Sequence, residues 1–436
     1  MNILYTILLG VALLLTSPYW LVQALLRGKY RAGLAERLGR VPSRLRPTSA
    51  EENCIWIHAV SVGEVLAVGG LVQALRTKLP EWRMVVSTTT LSGQTLARSR
   101  FGDENVFYFP LDLPFAVKPY VQQLRPKLVV VAETEFWPNF LRLAKRSGAR
   151  IAVANARISD RSYPGYKRFR WFLTRTLADI DMFLTQTESD KQRLIDIGAP
   201  VGRVQVSGNL KFDVKAPATS ELVGRLRSAI PPGAQVVVCG STVAGEEEIL
   251  LEAWKRVLRE QPSAVMVLAP RHPERFAEVA ELLRMRAMSF WRRTGWSGER
   301  ISGGVFLLDS IGELAALYAV ANIAFVGGSL VDRGGHNILE AAQYGRPILV
   351  GPYTQNFREI VKMFLKAGAV RVVQPDEVGQ TLLELLHSEA EQRVMGERAL
   401  GVFSAHPGAT ERTLNALEVL LWMPSTMQER YQQVKR

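Results

Sequence analysis

Cysteine and acid are the two things this sequence has little of. Only Cys54 and Cys239 occur in 436 residues, both inside apolar runs, so no disulfide framework is expected and both read as buried thiols of a reducing compartment. The five histidines, His58, His272, His336, His387 and His406, show no metal-ligand spacing with cysteine or carboxylates, so no metal site is expected. Low-complexity tracts are missing too. The most glycine-rich stretch, 327–340, is neither GxGxxG nor a GK[ST] phosphate loop, which argues against both the dinucleotide-binding fingerprint and a nucleoside-triphosphatase. Acids number 41 against 54 Lys and Arg, leaving a net charge of +13. That excess favours an acidic partner: nucleic acid, anionic lipid or a phosphorylated substrate.

Charge is wholly absent from residues 1–26. Residues 3–15 are strongly apolar, and a helix over this reach is long enough to span a bilayer core. Pro18 would kink it, so a shallow hairpin or interfacial helix is the alternative. A cleaved signal peptide fits poorly, because the positive n-region is missing and no small-residue cleavage site follows. Arg27, Lys29, Arg31, Arg37, Arg40, Arg44 and Arg46 come next, against Glu36 alone. The stretch is expected to be an inner-membrane anchor with this cluster, and the bulk of the chain, on the cytoplasmic side. The cluster would also attract anionic head groups.

What remains is 47% apolar and 22% charged, the composition of a globular α/β protein. From 50 to 213 apolar runs alternate with helical patterns, as in a parallel doubly wound sheet. Strands are expected at 54–58, 83–88, 128–132, 151–154 and 182–184, with helices at 65–79, 137–146 and 188–196. Residues 213–233 hold Pro217, Pro231 and Pro232 and lack a strand core, which marks a domain boundary. A second series follows, with strands at 236–239, 264–268, 305–308, 323–326 and 348–350 and a helix at 246–260. The chain thus divides into an anchor (1–26), a first α/β domain (27–213), a second (214–408) and a closing helix (409–436). Two such domains facing a cleft are the plan of many sugar-nucleotide transferases; fold alone does not establish activity.

In open α/β sheets ligands bind beyond the carboxyl ends of the strands, and that rule selects several loops. Ser61-Val62-Gly63-Glu64 places a carboxylate at a helix start, where it is either a general base or an acid favoured by the helix dipole. Glu133 and Glu135 end the strand at 128–132; acids there either face a cleft or meet basic partners. Asn155, Arg157 and Ser159 follow the next strand. Residues 163–175 interleave aromatics with Lys167, Arg168, Arg170 and Arg175. This pattern suits a membrane or a phosphorylated lipid better than nucleic acid, and an ordinary amphipathic helix equally well. In the second series Ser241 and Arg271 stand at strand ends, the arginine suited to a phosphate or carboxylate. The glycines of 327–340 let backbone approach an anion at the start of a helix expected at 338–344. Asn337 sits where that helix begins and Glu340 one turn on.

Taken together, Ser61–Glu64, Ala132–Asn139, Asn155–Arg157, Ser207–Asp213, Ala269–His272 and 327–340 resemble the 3-deoxy-D-manno-octulosonic acid (Kdo) transferases of lipopolysaccharide synthesis. The likeness runs from about Gly28 to Ala409. It implies a metal-independent, inverting enzyme of the two-domain glycosyltransferase-B (GT-B) type. Such an enzyme moves Kdo from CMP-Kdo to the acylated, phosphorylated glucosamine disaccharide that precedes lipid A. By motif, Glu64 matches the catalytic base and Glu133 a second carboxylate of the cleft. Arg271 would contact the donor phosphate, with Ser241 beside it. Gly312 and Glu313 would lie near the cytosine, although Ile311 replaces an expected methionine. Gly328, Ser329 and Asn337 would hold phosphate or sugar, and Glu340 the ribose. Asn155, Arg157, Lys167 and Arg168 would face the acceptor. The expected partners are CMP-Kdo, the lipid A precursor and the inner membrane, with no nucleic acid and no cofactor. A different nucleotide-sugar transferase or epimerase of the same fold, or a non-catalytic membrane-surface scaffold, is the alternative.

Overall fold

The computed structural model describes residues 2–27, 33–47, 49, 52–213 and 220–422. They form two units: Met1–Asp213 with Gly408–Arg436, and Val214–Pro407. The first contains β1 (Cys54–His58), β2 (Arg83–Thr88), β3 (Val106–Tyr108), β4 (Leu128–Ala132), β5 (Arg150–Ala156), β6 (Met182–Thr185) and β7 (Val204–Val206). They make one parallel sheet in the order β3-β2-β1-β4-β5-β6-β7. The order reverses at β1, the switch point of a doubly wound sheet. Because side chains alternate across a strand, β1 feeds both faces: Cys54 and Trp56 join one core, Ile55 and Ile57 the other. A strand buried on both faces needs the continuous apolar run that the sequence supplies.

The second unit repeats the plan. Its strands are β8 (Val236–Thr242), β9 (Val265–Pro270), β10 (Phe290–Arg292), β11 (Gly304–Leu307), β12 (Ile323–Val326), β13 (Ile348–Val350) and β14 (Val370–Val372). Their order is β10-β11-β9-β8-β12-β13-β14, all parallel. Four strands have no counterpart among the apolar runs: β3, β7, β10 and β14. All four are outermost in their sheets and three residues long, as edge strands with a single neighbour are apt to be.

The C-terminal helix, Ala409–Trp422, returns to the first unit, where Leu417 and Leu420 join the core that holds Val68 and Leu71 of the helix Val62–Lys78. Its start is clasped by Asp213, whose carboxylate accepts the N–H groups of Gly408 (2.8 Å) and Thr410, while Arg412 Nε donates to Ser207 O at 2.8 Å.

Asn2–Arg27 is a single helix. Among the described residues, however, no helix is long and apolar enough to cross a membrane. The side chains of residues 17–32, which complete the expected anchor and include Arg27, Lys29 and Arg31, lie outside the described residues. Two members of the basic cluster are structural. Arg37 donates to Thr89 O at 2.5 Å and lies over the Tyr108 ring, and Arg44 bonds Glu36 and the carbonyls of Asp103 and Val106. Arg40 and Arg46 remain exposed. Both cysteines are free and buried; burial pushes the Cys54 thiol up to about 12.

Candidate active site

In the first unit every loop singled out in the sequence leaves the carboxyl edge of the one sheet, so topology alone brings them to one side. Glu64 lies in the first turn of Val62–Lys78, directly after β1. Its Oε2 accepts the Val60 N–H at 2.8 Å and its Oε1 the Ser61 hydroxyl at 2.9 Å. The side chain is nearly buried, at 8% exposure. Burial first, then the charge of Glu133, lifts its pKa from 4.5 to about 7, against the two hydrogen bonds and with help from Glu135. A carboxyl that titrates near neutrality can take a proton and return it.

Glu133 ends β4 with a left-handed backbone, φ 55°. Its carboxylate meets Arg157 at 3.3 Å and Lys211 at 3.5 Å. Two cations thus fix the position of a second carboxylate beside Glu64. Asn155, the penultimate residue of β5, is also left-handed (φ 57°) and fully buried; its Oδ1 accepts the Leu210 N–H at 3.0 Å. That bond seats Ser207–Asp213, and so Lys211, against Glu133. Lys167 and Arg168 do not join this group. They are exposed on the short helix Tyr163–Arg168, with Lys167 near Asp196 and over the Tyr163 ring at 5.8 Å.

The second unit departs further from expectation. The N–H groups of Gly328, Ser329 and Leu330 form the anion cradle foreseen in the glycine-rich turn, but it already holds an internal anion. Glu246 is fully buried and accepts from all three, at 2.7, 2.8 and 2.8 Å, and from Val243 N at 3.1 Å. Ser329 is equally buried; its hydroxyl donates to Val326 O and accepts from Gly351 N. Gly328 and Ser329 thus seat the Glu246 carboxyl through their N–H groups. Gly327 fits because a Cβ there would lie 2.7 Å from Ser241 O. Ser241, one residue before the end of β8, has φ 57° and is 8% exposed.

The second half of the turn is different. Gly334 and Gly335 both take positive φ. His336 beyond them is mostly buried, and burial, with the charges of Arg271 and His272, lowers its pKa to about 4. Arg271, exposed after β9, is thereby brought to the glycine-rich turn. Asn337 caps a short helix through Leu339 N at 3.1 Å. That helix, Leu339–Ala342, has four residues instead of the seven expected. Glu340 lies in it, near Tyr318. Gly312 has φ 90° and open space at its Cα, whereas Glu313 is gripped by Arg293 at 2.9–3.2 Å and by Ser310. Neither Arg293 nor Lys211 nor Glu246 was assigned from sequence. Arg293 lies in an aromatic segment without a pattern, Lys211 in a motif whose residues received no role, and Glu246 at the head of an acidic run that reads as a surface helix.

A family profile described as 3-Deoxy-D-manno-octulosonic-acid transferase (kdotransferase) matches residues 32–214. The 3-deoxy-D-manno-octulosonic acid transferase of Haemophilus influenzae is 34% identical over 399 residues, 90% of this chain and 92% of that protein. The transferase of the same description from Bordetella pertussis is 34% identical over 427 residues, 95% of this chain and 98% of that one. This chain belongs to the Kdo transferase family. The transferase therefore has glycosyl transfer as its activity. Its fold has a wider reach: the crystal structure of MurG from Acinetobacter baumannii, 13% identical, covers 84% of this chain and 99% of its own with a TM-score of 0.54. Two doubly wound units in one chain are the GT-B plan. In the transferase, Glu64, Glu133, Arg157 and Lys211 line the carboxyl edge of one sheet, and Ser241, Arg271, Glu313 and His336 that of the other.

Proposed function

We propose that this Kdo transferase moves Kdo from CMP-Kdo to the acylated, phosphorylated glucosamine disaccharide that precedes lipid A, inverting the anomeric carbon, at the cytoplasmic face of the inner membrane. Glu64 is the general base. It accepts the proton of the acceptor hydroxyl as that oxygen bonds to the anomeric carbon; the bond from this carbon to the CMP phosphate breaks, and CMP leaves with the electron pair. One positioned base contributes about 10²–10⁴ in rate. Burial, and then Glu133, which is paired with Arg157 and Lys211, keeps Glu64 able to bind a proton near neutral pH. On the donor side CMP carries a single phosphate, whose charge Arg271 offsets without a metal.

The observation that carries this assignment is the Glu64 carboxyl at a strand end, poised at about 7 beside a fixed carboxylate. Purified full-length protein supplied with CMP-Kdo and lipid acceptor tests it. CMP release is expected from the wild type, unchanged by excess EDTA, and background release only from Glu64→Ala. Release from Glu64→Ala at the wild-type rate removes the base. Calorimetry separates the donor from rivals: CMP binds and UDP does not. UDP binding alone points to another nucleotide-sugar enzyme of the fold, and a wild type without turnover to a scaffold.

A further inference from the structure

The N-terminal helix does not stand off from the first unit. Thr6 Oγ1 and the Asn139 amide are hydrogen-bonded at 3.0–3.2 Å. The Tyr5 hydroxyl donates to Asp112, which also accepts the N–H groups of Asn139 (3.0 Å) and Phe140 (2.7 Å). The Tyr5 ring lies 6.0 Å from that of Phe172. The start of the helix, at Tyr5 and Thr6, is thereby fastened to the helices Pro138–Arg146 and Arg170–Leu177. Ile3 (74% exposed), at the edge of this contact, and Leu8, Leu14 and Leu15 (75%) further along the helix face solvent, and Phe169 and Trp171 are more than half exposed.

Beside Ile3 opens a cavity of about 530 Å³ whose lining includes Arg142, Lys145, Arg146, Arg175 and Asp179. Lys145 is held by Asp181 at 2.5 Å. Arg142 Nε is buried without a hydrogen-bond partner. Arg142, Lys145, Arg146 and Arg175 stand against Asp179 in the lining and Asp181 behind Lys145, which leaves the cavity net positive and suited to a phosphate, with the apolar helix beside it. The lining follows the helix Pro138–Arg146 over its length, from Pro138 at the carboxyl edge that carries Glu133 to Lys145 and Arg146 in the last turn.

We infer that this cavity seats the phosphate of a bulk anionic phospholipid, with the acyl chains laid along the exposed Ile3–Leu15 face, so that helix and cavity form one lipid-docking surface. It rests on the membrane association proposed above and supplies its chemistry. The helix then lies in the head-group layer, and the Arg142–Arg175 cavity discriminates between lipids by charge.

Vesicle co-sedimentation of the full-length protein, with no acceptor lipid present, tests it. Vesicles of phosphatidylcholine alone are compared with vesicles holding about one-third phosphatidylglycerol, in about 0.15 M salt. The wild type is expected to bind the anionic vesicles about tenfold more tightly. The double substitution Arg146→Glu with Arg175→Glu brings that preference down to the phosphatidylcholine level, while Arg146→Lys with Arg175→Lys keeps it, which separates lost charge from lost folding. Leu14→Asp with Leu15→Asp weakens binding to both vesicles. A double Glu variant that retains the preference overturns the cavity assignment and leaves membrane association standing. Wild-type protein that binds neither vesicle overturns both. Inorganic phosphate that abolishes the preference at constant ionic strength marks a soluble-anion site instead and overturns the lipid assignment.

Discussion

Glu64 and Glu246 occupy equivalent places in the two units. Each follows a central strand of its sheet (β1 and β8), each lies in the first turn of the next helix, and each is nearly or fully buried. What separates them is the company of donors. Glu246 receives four backbone N–H groups and is locked between two strand ends. Glu64 receives one N–H and one hydroxyl, with a second carboxylate pressing on it. A buried anion with a full set of donors is a structural rivet. One with a partial set and a like-charged neighbour is a proton acceptor in waiting.

The sharpest way to break this comparison is to remove the rivet. Glu246→Ala leaves four buried N–H groups without an acceptor and is expected to destabilise Val214–Pro407 by roughly 4 kcal/mol or more, at 1–3 kcal/mol per orphaned group. Urea unfolding measures it, and a loss below about 1 kcal/mol would show that the two glutamates do not differ as described. Glu64→Gln comes next: kcat falls by about 10²–10⁴ while CMP affinity, read by calorimetry, is unchanged.

The same substitution has a signature in stability. The folded Glu64 value, about 7, lies above the unfolded 4.5, so the native state keeps a proton that the unfolded chain releases. Stability from this group is full below pH 4.5 and is lost as pH rises through about 7. Above that, Glu64→Gln is expected to be more stable than wild type by roughly 3 kcal/mol, at 1.36 kcal/mol per unit, and thermal melts across this range would show it. A smaller effect sharpens the role of the neighbour. The acidic limb of kcat/KM is expected near pH 7, because the base must be ionised, and Glu133→Gln moves it down by up to about one unit. A limb that stays put would mean that burial alone sets Glu64. Smallest of all is Arg293→Ala. Its pair with Glu313 is partly exposed, and the stability change stays within about 1 kcal/mol.

Central strands were legible because a strand buried on both faces is apolar almost throughout, as 128–132 is at every position and 54–58 at all but His58. Edge strands were not: β10 and β14 are half exposed and carry Arg292 and Arg371, and three residues are too few to show a period. Glu64 was legible as a residue, whereas its elevated pKa depends on Glu133, 69 positions away in sequence and brought close by the pairing of β1 with β4. The glycine-rich turn holds a second such match. Its glycines do build an anion cradle, but the anion comes from Glu246, 82 residues earlier than Gly328. Nothing local marks that long-range match.

The Asp213 clasp makes the chain's path through the molecule a detour. The backbone departs at Asp213 and is back at Gly408, within one hydrogen bond of where it left. Everything from Val214 to Pro407 is in effect a cassette inserted into the first unit. A peptide ending at Asp213 would lack the Ala409–Trp422 helix that shields Val68 and Leu71. A short splice from Asp213 to Gly408, by contrast, would retain every layer of that unit. Exchange of the second unit is thus expected to need only two adjacent cut points, with the layers of the first left in place.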